Sequence, residues 1–126
     1  MTIYVVCDIE ADGPIPGPYS MISFGAVAVD KYGKYYGEFE INLFPLENAT
    51  THPLTMKWFN EQAPEALKYT KQNRILPHEA MNKFGDWLLA LPSPRVMAAH
   101  PAPLDFMWLN WYMQNFLSCK STLYYS

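Results

Sequence analysis

Apolar and polar positions alternate along three early stretches of the chain, then give way to helical spacing. The run Ile3-Tyr4-Val5-Val6-Cys7-Asp8-Ile9-Glu10 predicts a strand over about 2–10. Ile22, Phe24, Ala26 and Ala28 alternate with Ser23, Gly25, Val27 and Val29, which predicts a second strand over 20–30. Asp30-Lys31-Tyr32-Gly33 reads as a turn, and Tyr36, Glu38 and Glu40 alternating with Phe39, Ile41 and Leu43 predict a third strand over 34–44. Short connections make these three an antiparallel meander. After His52-Pro53-Leu54 a short helix is expected over 55–61 with Thr55 as its N-cap, placing Trp58 and Gln62 one turn apart. A second short helix is expected from Pro64 to Tyr69. Ala80, Met81, Phe84, Trp87, Leu88 and Leu91 mark an amphipathic helix over 77–91, stopped by Pro92-Ser93-Pro94. Arg95 to Ala99 reads as a short strand, and Asp105 to Leu117 as a last helix whose Trp108, Trp111 and Tyr112 are expected in the core.

The order β-β-β-α-β-α makes the fourth strand parallel to the first, because a helical crossover separates them. The residues after strand four then lie beside the end of strand one. That end carries Asp8 and Glu10, two residues apart on one face, with Cα atoms roughly 6–7 Å apart. On a buried strand two like charges repel and lose hydration, and a divalent cation is the simplest compensation. On a strand that reaches solvent at Asp8 no compensation is required, and both readings stand on this segment alone. Asp105, at the start of the last helix, has an N-cap reading of its own. Its expected position beside Asp8 and Glu10 adds a second reading, in which three carboxylates hold Mg²⁺ or Mn²⁺ rather than zinc.

Composition narrows the rest. The 126 residues, 50% hydrophobic and 16% aromatic, suffice for one domain with one core. A net charge of -3 gives no global attraction to polyanions, so nucleic acid would be held by local groups or bound cations. Lys68, Lys71 and Arg74 give one local positive bias. Cys7 and Cys119 have no metal-ligand spacing, and a reduced Cys7 in a core strand points to a cytoplasmic setting. No signal peptide and no membrane span are expected. Asn48-Ala49-Thr50 matches a glycosylation sequon and reads as loop polarity. Asp12, on a Gly-Pro turn, reads as a turn-former, Asp30 as a turn residue and Asp86 as a solvated helix position.

Asp8-Ile9-Glu10 together with Ala99-His100-Pro101-Ala102-Pro103-Leu104-Asp105 resembles the first two motifs of the DnaQ-like (DEDD) 3′–5′ exonucleases, of the ribonuclease H-like superfamily. Thr55 to Gln62, followed by Glu65-Ala66, resembles a helix of the exoribonuclease-like and phage branch. Pro101 and Leu104 replace the usual Asn and Phe of the second motif. The resemblance implies an α/β fold with a mixed sheet, a three-stranded antiparallel meander plus one parallel strand, and helices packed on it. It also implies a two-metal Mg²⁺ or Mn²⁺ site held by Asp8, Glu10 and Asp105, which are the expected catalytic and metal-binding residues. The expected activity is release of nucleotides from RNA or single-stranded DNA 3′ ends, with Trp58 and Gln62 as substrate contacts and His100 as a structural histidine of the motif. The family's third motif, an aspartate preceded by His or Tyr on a late helix, has no counterpart in Ser118 to Ser126. The expectation is therefore an exonuclease domain over 1–117 whose C-terminal part is missing, by truncation or a shifted reading frame, with a short tail over 118–126. Such a chain would expose apolar surface, with poor stability or self-association. The alternative is a catalytically impaired protein of that fold that only binds metal or nucleic acid; a third reading is an interaction domain whose acids are surface or capping residues.

Overall fold

A computed structural model describes residues 1–99 and 102–118. Its elements are β1 (Ile3–Ala11), β2 (Met21–Val29), β3 (Tyr35–Asn42), α1 (Pro53–Gln62), α2 (Pro64–Thr70), α3 (Pro77–Leu89), β4 (Arg95–Ala99) and α4 (Ala102–Phe116). They form one mixed sheet in the order β3-β2-β1-β4. β1 pairs antiparallel with β2 and parallel with β4, and β2 pairs antiparallel with β3. The meander and the parallel fourth strand stand as the sequence pattern predicts.

One face of the sheet is covered. Ile3, Val5 and Cys7 of β1 and Phe24, Ala26 and Ala28 of β2 point into a core with Ala80, Met81, Phe84 and Leu88 of α3 and Trp108, Leu109, Tyr112 and Met113 of α4. Phe24 meets Phe84 edge-on with ring centroids 4.9 Å apart, a favoured aromatic geometry. Burying side chains of this size stabilises the fold by about 1.5–3 kcal/mol each. Gly85 of α3 faces Leu117, just past the end of α4: a Cβ there would lie 2.8 Å from Leu117 Cδ1.

The other face is open. Tyr4, Val6, Val27 and Val96 stand on it exposed, beside Asp8, Glu38 and Glu40. Of the two readings the sequence left open for this strand end, the solvated one holds at Asp8. Asp8 lies on a solvent-facing side of β1, and only Glu10 is half-buried. The exposed apolar surface expected from the sequence is present on this face.

Two helix starts also differ. α1 begins at Pro53, and its cap is His52, whose Nδ1 accepts the Leu54 N–H at 3.2 Å. Proline at the first helical position extends the helix past Thr55, because its missing N–H needs no partner there. α4 begins at Ala102, so Asp105 lies in the first turn of the helix and not at its cap. A small second cluster of Ile22, Phe59 and Leu67 packs α1 and α2 onto the start of β2. Among the described residues no helix is long and apolar enough to cross a membrane. His100, Cys119 and the tail after Ser118 lie outside the described residues.

Candidate active site

β1 ends in a bulge between Glu10 and Ala11, at the point where its pairing with β2 shifts register. Bulges bend a strand and re-aim its side chains. The loop that follows is locked from several sides. The Asp12 N–H donates to the Ser20 carbonyl at 3.0 Å, and Asp12 Oδ1 accepts the Ser20 N–H at 2.7 Å. The Asp12 carbonyl accepts the His52 N–H at 2.8 Å, joining the loop to the start of α1. Gly13 sits beneath the Tyr19 ring, where a Cβ would come within 2.1 Å of Tyr19 Cγ. Next to the loop, the Tyr112 hydroxyl accepts the Met21 N–H at 2.7 Å. Asp12 is thus buried and structural, as its place on a turn suggested. Burial pushes its carboxyl up, partly offset by the Ser20 hydrogen bond.

On this frame Asp8 and Glu10 project from the open face. Asp8 lies opposite Gly25 of β2, and Gly25 lies opposite Glu40 of β3. Glu10, Ser23 and Asn42 form the next row. Lacking a side chain, Gly25 leaves a trough of about 410 Å³ bordered by Asp8, Glu10, Glu38 and Glu40. The sequence pattern marks Glu38 and Glu40 only as polar positions of a strand. That they face Asp8 depends on register, which the alternation does not encode.

Asp105 approaches from the helix side. β4 runs parallel to β1 as far as the Cys7–Ala99 pair, and α4 then packs against both strands. Asp105 is 4% exposed. Its charge and that of Asp8 act on the Cys7 thiol, which burial first, then these two neighbours, push up to about 12. Glu10 feels the same pair: burial, then Asp8, then Asp105 hold its carboxyl above the usual carboxylate range. Three carboxylates from two distant segments therefore share one electrostatic environment at the end of β1. Among the described residues, however, no three acidic, histidine or cysteine side chains are gathered closely enough to hold one ion as they stand.

The donor set suits a hard divalent cation, being all carboxylate oxygen. Among the described residues no lysine or arginine stands within ion-pair distance of Asp8 or Glu10. Burial and, after it, repulsion from Asp8 and Asp105 raise Glu10, and both are costs a bound cation would offset.

Trp58 stands 53% exposed on α1, edge-on to Phe59, and Gln62 is exposed one turn on. Neither belongs to the core. Phe59 anchors their helix on Ile22, next to the Ser23 that pairs with Glu10, so α1 lies at the carboxylate end of the sheet. Trp108 and Tyr112 are fully buried, and Trp111 packs beside them, as core residues. His100 of the second motif lies outside the described residues.

No protein-family model matches the chain. A curated relative, the 3′–5′ DNA exonuclease Cap18 of Escherichia coli, is 29% identical over 118 residues, covering 91% of this chain. The E. coli exonuclease I complex with a dA16 oligonucleotide superposes with a TM-score of 0.73 over 97% of the chain at 12% identity. The chain thus has an exonuclease I-like fold. A zinc-bound exonuclease I–single-stranded DNA complex of E. coli superposes with a TM-score of 0.70 over 90% of the chain, at 11% identity. The chain spans 59% of Cap18, and 26% and 23% of the two exonuclease I chains.

Proposed function

We propose that this chain carries the hydrolytic centre of a divalent-metal-dependent 3′–5′ exonuclease acting on single-stranded ends, with Asp8, Glu10 and Asp105 as its metal-binding and catalytic carboxylates. The observation that carries this reading is the parallel β1–β4 pair, which leads the chain from β4 into α4 so that Asp105 acts on Glu10. DNA is the favoured substrate, because Cap18 is named a DNA exonuclease and the superposed exonuclease I structures hold DNA. RNA ends are the competing substrate.

A pair of Mg²⁺ or Mn²⁺ ions, when bound, would lower the pKa of the attacking water and neutralise charge on the leaving 3′ oxygen. The chain's own residues do the rest. Asp8 and Glu10 are fixed by pairing with β2, just past the point where β1 stops pairing with β4. Asp105 is fixed by a helix buried in the core. Trp58 offers an exposed ring on which a terminal base can stack, and Gln62 offers an amide to the base edge. Asp12 keeps the loop closed and takes no part in the chemistry.

The absence of a ready three-ligand cage among the described residues favours a second reading, in which the chain binds metal or single strands and does not cut them. The same open face, through Tyr4, Val6, Val27 and Val96, is the surface on which self-association would form; sedimentation at rising concentration tests it. Hydrolysis of 5′-labelled single-stranded DNA and RNA with Mn²⁺, by wild type and Asp8→Ala, decides between cutting and binding. Stepwise shortening by wild type alone supports the exonuclease. Equal activity in both proteins would reject the site, and binding without shortening would leave the second reading.

A further inference from the structure

At the outer edge of the sheet, β3 continues beyond its last residue into an isolated pairing of Leu43 with Ile75, closed by the Ile75 N–H to Asn42 carbonyl bond at 3.0 Å and the Phe44 N–H to Ile75 carbonyl bond at 2.9 Å. The α2–α3 connection is thereby held against the edge strand. Asn42, 8% exposed, fastens it further: its Nδ2 donates to the Tyr69 and Gln72 carbonyls, both at 2.9 Å. Its Oδ1 is buried without a hydrogen-bond partner among the described residues. Because the two carbonyls fix the amide's orientation, turning it over would not cure that deficit.

Beside Asn42 lies a concavity of about 430 Å³, lined also by Glu40, Tyr69, Gln72, Asn73 and Lys83. Lys83 lines it, and the segment that supplies Tyr69, Gln72, Asn73 and Ile75 is cationic. Lys68, Lys71, Arg74 and Lys83 are four of the chain's nine lysines and arginines, and no acid occurs between Ala66 and His78. Among the described residues none of the four is in an ion pair. Arg74 lies over the Phe44 ring, 5.8 Å from its centroid, which holds the guanidinium beside the Leu43–Ile75 extension of the edge strand. Phe44 and Tyr69 are both exposed. Glu40, the one carboxylate in the lining, accepts the Tyr69 hydroxyl.

We propose that this edge is a cradle for single-stranded nucleic acid outside the hydrolytic centre: Lys71, Arg74 and Lys83 hold phosphates, and Phe44 and Tyr69 stack unpaired bases. Cations interleaved with exposed aromatics are what such strands require. Asn42 Oδ1 is an acceptor that the amino group of a base reaching the floor of the concavity would satisfy. Asn42 is in the same row as Glu10 with Ser23 between them, so two strand spacings, about 10 Å, separate cradle and carboxylates. One strand can therefore occupy both. The cradle also explains how a chain of net charge -3 retains a polyanion whose end is being hydrolysed. This inference rests on the reading that single strands are the substrate, but binding tests it without cutting.

The test is fluorescence anisotropy of a labelled single-stranded oligonucleotide in EDTA, at several salt concentrations. Wild type is compared with the triple variant Lys71→Gln, Arg74→Gln, Lys83→Gln and with the control pair Lys31→Gln, Lys34→Gln at the far end of the sheet. The triple variant should flatten the dependence of log affinity on log salt by about 0.7 per lost contact, roughly 2 in all, with the control pair close to wild type. Wild type that binds in this way yet cuts nothing supports the cradle and refutes the hydrolytic reading. A triple variant that binds like wild type, while Asp8→Ala still abolishes cutting, refutes the cradle alone. Equal losses in both variants, no binding at low salt, or a charge-matched polyphosphate bound as tightly as the oligonucleotide would also overturn it.

Discussion

Asp30 and Glu10 stand at opposite ends of the same sheet, and their surroundings treat them in opposite ways. Asp30 closes the β2–β3 turn: its Oδ1 accepts the Tyr32 and Lys34 N–H groups at 2.9 and 3.0 Å, and its Oδ2 accepts the Tyr36 hydroxyl at 3.1 Å. Although burial opposes its charge, these donors hold its carboxyl below the usual carboxylate range. Glu10 is half-buried with two like charges for neighbours, and burial first, then these charges, hold it above that range. A carboxylate placed among donors strengthens a fold. One placed among other carboxylates is supported by the rest of the fold, and this imbalance is a ground for the proposal that the end of β1 is the functional site.

The largest expected effect separates the two ends by activity. Asp105→Asn should lower kcat for Mn²⁺-supported hydrolysis by about a hundredfold or more, the scale of losing one preorganised charge-stabilising group. Asp30→Asn should leave kcat unchanged. Loss of activity in Asp30→Asn with the fold intact would erase the distinction.

A second expectation concerns the frame behind the carboxylates. Tyr112→Phe removes the acceptor of the buried Met21 N–H and should destabilise the protein by about 1–3 kcal/mol, measured by urea unfolding. A neutral result would mean that the site end does not depend on this bond.

A third sharpens the contrast through pH. A carboxyl lowered in the folded state contributes stability above its unfolded pKa, and that contribution is lost as pH falls through the folded value. Asp30→Asn should therefore lower Tm at pH 7, and the deficit should vanish in acid below the ordinary aspartate range. A deficit constant with pH would assign the turn's strength to packing instead. The smallest effect has the opposite sign: metal-free Glu10→Gln should melt slightly above wild type at pH 7, because it relieves the burial of a charge and its repulsion from Asp8 and Asp105. A lower Tm would mean that Glu10 makes stabilising contacts as a carboxylate.

The strands and α3 were legible in the sequence because their periodicity records which side chains are buried. Ile3, Val5 and Cys7 alternate with Tyr4, Val6 and Asp8, and Ala80, Met81, Phe84 and Leu88 share one helical face. The parallel β4 followed from connection length, and with it the approach of Asp105 to β1. Periodicity does not record whether the second face of a sheet is covered, so Asp8 read equally as buried or solvated until α3 and α4 proved to lie on one side. The α1 start was misread because a histidine, rather than Thr55, supplied the cap. Glu40 became visible as a neighbour of the trough only through the Asp8–Gly25–Glu40 row.

The most direct test is Mn²⁺ binding followed by electron paramagnetic resonance in wild type, Asp8→Asn, Asp105→Asn and the double variant. If Asp8 and Asp105 serve the same ions, each single change should weaken binding by about tenfold or more, and the double should be little worse than either, since residues of one site do not add. Wild-type binding retained in Asp105→Asn, with all loss confined to Asp8→Asn, would show that the helix carboxylate serves α4 alone and that no shared centre exists.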